Sequence, residues 1–215
     1  GGRLVLKECT INNASGMGVQ LADGAEGNLS GCKLIKCAKA GIAAKASGRI
    51  QIANCEVSEG HAAGIMLLGA PAPSQPGGPP PPQLIKGNEI RANAKAGIQI
   101  SAGACPKVEG NKILNGKGAG VYVFEGSRPE LLENVMQGNL GPGIRIENSA
   151  PRVAHNSCCA GADSGIVVSG RATTQPAAAP SAEHSTSPGG GDAEATSGED
   201  NNSNQLVASS KSTKP

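Results

Sequence analysis

Seven apolar–variable–apolar triplets run along the chain: Val19/Leu21, Ile42/Ala44, Ile65/Leu67, Ile98/Ile100, Val121/Val123, Ile144/Ile146 and Ile166/Val168. Alternation of period two predicts a strand with one buried face. A Gly directly precedes each triplet, at Gly18, Gly41, Gly64, Gly97, Gly120, Gly143 and Gly165, with spacings of 23, 23, 33, 23, 23 and 22 residues. Nine residues before each Gly stands Cys9, Cys32, Cys55, Asn88, Asn111, Asn134 or Asn156. Two residues after that slot comes Ile11, Leu34, Val57, Ile90, Ile113, Met136 or Cys158, and three before it Leu6, Leu29, Ile52, Ile85, Val108, Leu131 or Val153. Each unit therefore predicts one clear strand after the Gly, a shorter one at the Cys/Asn slot and a third before it. No unit has the 3.6-residue period of a helix.

A unit this small cannot bury its own apolar face, so the units must stack. The expected fold is all-β: a right-handed parallel β-helix solenoid of about seven 22–23-residue coils. Equivalent residues would lie about 4.8 Å apart on successive coils, with apolar ladders inside and the Asn column hydrogen-bonded along its length. A leucine-rich repeat is the competitor, but its signature does not recur at this period.

Two stretches break the pattern. The 33-residue spacing contains "APAPSQPGGPPPPQ", residues 70–83, expected to leave the coil as a loop of polyproline II character. From residue 171 the chain is rich in Ala, Ser, Pro, Gly and acids, a composition that predicts a disordered tail over 171–215. Residues 1–170 are expected to carry the coils.

The run "NEIRANAKAGIQISAGACPKVEGNKILNGKGAGVYVFEGSRPELLENV", residues 88–135, resembles the repeats of the right-handed, pectate-lyase-like β-helix superfamily. In style it is most similar to the coils of F-box-only ubiquitin-ligase substrate receptors; copper-processing periplasmic proteins and carbohydrate-processing proteins carry similar ones. The resemblance implies the fold over residues 4–170 and leaves function open among several activities. No F-box segment and no Cys/His zinc module accompanies the repeats, so a role in ubiquitin ligation would rest on parts outside this chain.

Composition narrows the chemistry. A net charge of +2 and the lack of basic residues interleaved with aromatics give no reason to expect nucleic acid. No apolar run approaches the roughly 20 residues needed to cross a bilayer. Enzymes of the resembled superfamily depend on clustered Asp, but the repeats hold only Asp23 and Asp163, six coils or about 29 Å apart. Glu56 and Glu89 fall in one row between Lys33 and Lys112 and read as solvated carboxylates. Catalytic residues are therefore not expected, and neither a cofactor nor a metal. The seven Cys include no C-x-x-C pair; Cys9, Cys32 and Cys55 read as an inward column of small side chains, and unpaired thiols favour a reducing, cytoplasmic or nuclear compartment. The first residue is Gly, so the chain is expected to be part of a longer protein.

The only Tyr and the only Phe stand two residues apart, Tyr122 and Phe124. Residues two and four beyond each repeat Gly should point outward, which aligns Gln99, Tyr122 and Arg145 in one row and Ser101, Phe124 and Glu147 in the next. Aromatics bordered by Arg and amides suit a contact surface. The expected function is a non-catalytic protein-binding scaffold, as in the recognition part of a ubiquitin-ligase-like receptor. The alternative is a carbohydrate-active lyase or hydrolase fragment whose acidic site lies outside this chain, with carbohydrate as the partner.

Overall fold

The computed structural model describes residues 2–45, 48–70 and 81–170. These form a parallel β-solenoid of seven turns, all belonging to one compact unit, Gly1–Gln175. The described residues contain 21 strands and no helix. Sheet A comprises β1 (Arg3–Lys7), β4 (Glu26–Ser30), β7 (Ile50–Ala53), β10 (Gln83–Lys86), β13 (Lys107–Glu109), β16 (Glu130–Leu132) and β19 (Arg152–Ala154). Sheet B comprises β2 (Thr10–Asn12), β5 (Lys33–Ile35), β8 (Glu56–Ser58), β11 (Glu89–Arg91), β14 (Lys112–Leu114), β17 (Val135–Gln137) and β20 (Ser157–Cys159). Sheet C comprises β3 (Val19–Leu21), β6 (Ile42–Lys45), β9 (Ile65–Leu68), β12 (Ile98–Ser101), β15 (Val121–Val123), β18 (Ile144–Glu147) and β21 (Ile166–Ser169).

Register follows the repeat residue by residue. Ile98 pairs with Ile65 and Val121, Ile90 with Val57 and Ile113, Ile85 with Ile52 and Val108. The interior is a tube of Ile, Val and Leu, fully buried from Leu29 and Ile42 through to Leu131 and Ile144. Rings find no place in a tube this narrow. Across the insertion the register is kept, because Gln83 pairs with Ile50 and is buried. This corrects the expected loop boundary of 70–83: the chain rejoins the coil at Gln83. Residues 71–80 of that loop and the expected tail over 171–215 lie outside the described residues.

The corners have a different logic from the one a sequence suggests. Between sheets A and B one residue per coil has positive φ: Glu8, Gly31, Asn54, Gly87, Gly110, Glu133 and His155. Only three of these seven are Gly, so stacking holds ordinary side chains in a left-handed conformation that costs about 1–2 kcal/mol per residue. The seven repeat glycines, by contrast, have no positive φ. Space is what demands six of them, Gly165 being the exception: a Cβ on Gly97 would lie 2.2 Å from Ile113 Cγ2 and 2.9 Å from the Gly120 carbonyl.

The polar slot is buried and saturated. Asn88 Nδ2 donates to Asn111 Oδ1, Asn111 Nδ2 to Asn134 Oδ1, and Asn134 Nδ2 to Asn156 Oδ1, each at 2.9 Å. Each Oδ1 also accepts the backbone N–H of the residue one coil before, as Asn111 does from Asn88 at 2.9 Å. Each amide then donates to a carbonyl at the end of sheet A, Ile52, Ile85, Val108 or Leu131. In the first three coils the slot holds Cys9, Cys32 and Cys55, whose Sγ atoms lie 3.3–3.5 Å from the carbonyls of Lys7, Ser30 and Ala53.

Candidate functional site

Sheet C presents the outward rows that the repeat leaves free. Tyr122 lies between Gln99 and Arg145 in the strand register. Phe124 stacks on the Tyr122 ring, with centroids 4.5 Å apart and an interplanar angle of 18°. The Arg145 guanidinium sits over the same ring, 5.2 Å from its centroid. Glu147 completes the group: its carboxylate accepts from the Tyr122 hydroxyl and from Arg145, whose Nε lies 2.8 Å away. Period-two alternation puts these four side chains on one face, and in-register stacking brings the two strands' pairs together.

The electrostatics follow from those contacts. The Tyr122 hydroxyl and then Arg145 hold the Glu147 carboxyl below the usual carboxylate range. Burial first, and then the hydrogen bond to Glu147, pushes the Tyr122 phenol up. The same carboxylate raises Arg145. At neutral pH Glu147 is thus an ionised acceptor and Tyr122 a protonated donor, a fixed polar edge on an aromatic stack.

Beside this cluster lies a depression of about 510 Å³. Its floor is Gln99, Tyr122 and Arg145; Lys95 and Asp163 stand at its rim, and Gly118 and Gly141 line its wall. The two glycines occupy the same place on successive coils, where Lys95 and Asp163 stand on the coils either side. A Cβ on Gly118 would come within 2.7 Å of the Lys95 backbone, and one on Gly141 within 2.8 Å of Ala119 N. Close coil packing removes two side chains in a row and so opens the notch. A second, more apolar depression of about 390 Å³ lies on the same sheet among Gln20, Ala43, Lys45 and Leu68. Lys45 pairs with Asp23 there.

Of the expected face residues, Gln99, Tyr122, Phe124 and Glu147 are half-buried and Arg145 is exposed. Ser101 is not on the accessible face: it is 1% exposed. It pairs with Leu68 on one side and Phe124 N bonds to Ile100 O on the other, so a small outward side chain is covered by two large neighbours. Ala43, 4% exposed, is covered in the same way. Lys95 and Asp163 are site residues that the strand pattern alone does not reveal. Their signal was the column two residues before each repeat Gly, which reads Lys95, Gly118, Gly141 and Asp163.

The other candidate groups resolve into structure. Glu56 and Glu89 are register neighbours, and Arg91 bridges them, 2.6 Å from Glu56 and 3.5 Å from Glu89. Lys33 adds a contact to Glu56 at 3.7 Å. Among the described residues no group of three His, Cys, Asp or Glu could hold a metal ion. A second amide column runs beside the first: Asn93 Oδ1 accepts from Gly60 N and Asn139 Oδ1 from Gly116 N, both at 2.9 Å. It had a sequence signal, the alternation Gly60, Asn93, Gly116, Asn139 five residues after the main slot.

The model of the right handed beta helix region family matches residues 1–74 and 40–178. The chain belongs to that family. No curated protein matches its sequence. Among the similar solved structures are two at 14% identity, each over 76% of this chain. One is the A-module of the mannuronan C-5 epimerase AlgE4 of Azotobacter vinelandii, 56% covered with a TM-score of 0.48. The other is a double mutant of the periplasmic alginate epimerase AlgG, 47% covered with a TM-score of 0.45. This chain spans about half the length of either. Neither the family nor these structures point to F-box receptors. The expected protein-binding scaffold of a ubiquitin-ligase-like receptor is therefore corrected: the family that matches is that of the right handed beta helix region.

Proposed function

We propose that the sheet C face binds carbohydrate, the partner named in the alternative reading of the sequence. The observation that carries this is the notch between Lys95 and Asp163, floored by Gln99, Tyr122 and Arg145. Sugar hydroxyls both donate and accept hydrogen bonds, and the notch offers an amide, two cations and a carboxylate within one volume. Its size lies inside the roughly 300–1,000 Å³ of small-molecule sites, and its length runs across coils, the direction in which an extended chain would meet equivalent positions repeatedly. The aromatic stack holds the floor rigid, because Tyr122 is fixed at its ring by Phe124 and Arg145 and at its hydroxyl by Glu147.

The test is binding to a panel of immobilised neutral and acidic polysaccharides, followed by calorimetry with oligosaccharides of the best binder. Wild-type protein should retain at least one class. Tyr122→Ala and Arg145→Ala should each weaken that binding about tenfold or more, with the coils intact by circular dichroism. Retention of no polysaccharide, or equal binding by folded variants, overturns the proposal.

A further inference from the structure

In place of an amide ladder, the Cys column brings the Cys55 side chain into hydrogen-bonding contact with that of Cys32 one coil before. Its backbone stacking is nonetheless the same: Lys33 N donates to Cys9 O and Glu56 N to Cys32 O, both at 2.8 Å. Register on either side is unbroken, with Thr10 opposite Lys33 and Lys33 opposite Glu56. Stacked residues of a parallel ladder have Cα atoms about 4.8 Å apart, inside the roughly 4.4–6.8 Å that a disulfide spans. Cys32 and Cys55 are 1% and 2% exposed, while Cys9 is partly exposed. The Cys32 and Cys55 side chains meet in one slot, and each thiol also approaches a carbonyl of its own coil.

We infer that the column is a covalent stapling site, in which a low-molecular-weight disulfide enters at Cys9 and leaves a coil-to-coil disulfide between Cys32 and Cys55. In the first step the Cys9 thiolate attacks the small disulfide, forming a mixed disulfide and releasing one small thiol. The Cys32 thiolate then attacks the Cys9 sulfur and releases the second. Finally the Cys55 thiolate attacks Cys32, freeing Cys9 again. The net change is two protein thiols oxidised and one small disulfide reduced to two thiols, with both protein protons carried away. Burial holds the Cys55 thiol above its ordinary range, so this last exchange is slow in the folded chain and faster as pH rises. The product would join the first coils covalently where the Asn ladder is missing.

Peptide mapping after exposure of the folded chain to excess glutathione disulfide tests this. Non-reduced digests should yield a linked peptide pair containing Cys32 and Cys55, and the thermal midpoint should rise by roughly 5–10 °C over the reduced protein. Cys9→Ser should slow the linkage tenfold or more. The inference is overturned if Cys32 and Cys55 still alkylate fully on later denaturation, if only Cys105, Cys158 or Cys159 react, or if the rate is unchanged without Cys9.

Discussion

The first three coils and the last four share one backbone and one set of apolar ladders, yet they are tied together differently. In coils four to seven a buried Asn column carries two side-chain acceptances and two donations per interior residue, as Asn111 does. In coils one to three each thiol approaches a carbonyl two residues before it in its own coil. The lesson is that a solenoid's register can be set by its apolar faces while its cohesion along the axis varies. A buried amide with all partners present is worth far more to keep than to install, because its removal leaves other buried groups bare. A buried thiol makes no such demand.

Three changes would break or sharpen that contrast. The largest effect is expected from Asn111→Leu, which strips the acceptor from Asn88 N and Asn88 Nδ2 and a donor from the Ile85 carbonyl. A loss of about 3–5 kcal/mol in urea unfolding is expected; a loss below 1 kcal/mol would mean the column is ornamental. Cys32→Ala, its counterpart, should cost only about 1 kcal/mol of packing under reducing conditions, and an equal loss at both positions would erase the distinction between the two regions.

The smallest effect concerns acid. Glu109 is held low by Lys107 and then Lys86, and Glu147 by Tyr122 and then Arg145; both lie in the Asn half. A depressed folded pKa gives stability that is present above the unfolded value, about 4.3, and that is lost as pH falls through the folded value. Hydrogen exchange below pH 4.3 should therefore accelerate first around β13 and β18. Glu147→Gln should flatten the response at β18, and uniform acceleration across all coils would defeat the idea. Both carboxylates are only partly buried, so solvent still screens them and the effect is modest.

Much of this was legible in the chain. The four-position repeat gave all three strands of every coil in the right order, and the outward rows placed Gln99, Tyr122 and Arg145 in a line, as the register has them. What escaped had specific causes. Ser101 was expected in the open because alternation gives direction but not cover, and cover came from Leu68 and Phe124. Asp163 was set aside by looking for other Asp residues along the axis, whereas it lines the notch together with Lys95 and Arg145. The Asn93/Asn139 column was written at a fixed offset, but half of its members are glycines, which contribute only a backbone N–H. The ubiquitin-ligase-like reading came from a stylistic likeness of coils, and coils of this kind carry many functions.

By itself, then, the sequence determined the architecture, because a unit too small to bury its own apolar residues has one way to satisfy them, and the period says how the copies stack. Tertiary structure alone decided which outward positions are open and which are covered. It also decided that six of the seven repeat glycines serve space rather than φ, and that two of their neighbours, Gly118 and Gly141, leave a notch. Those outcomes depend on the bulk of side chains one coil away, 23 residues distant in the chain and about 4.8 Å distant in the fold.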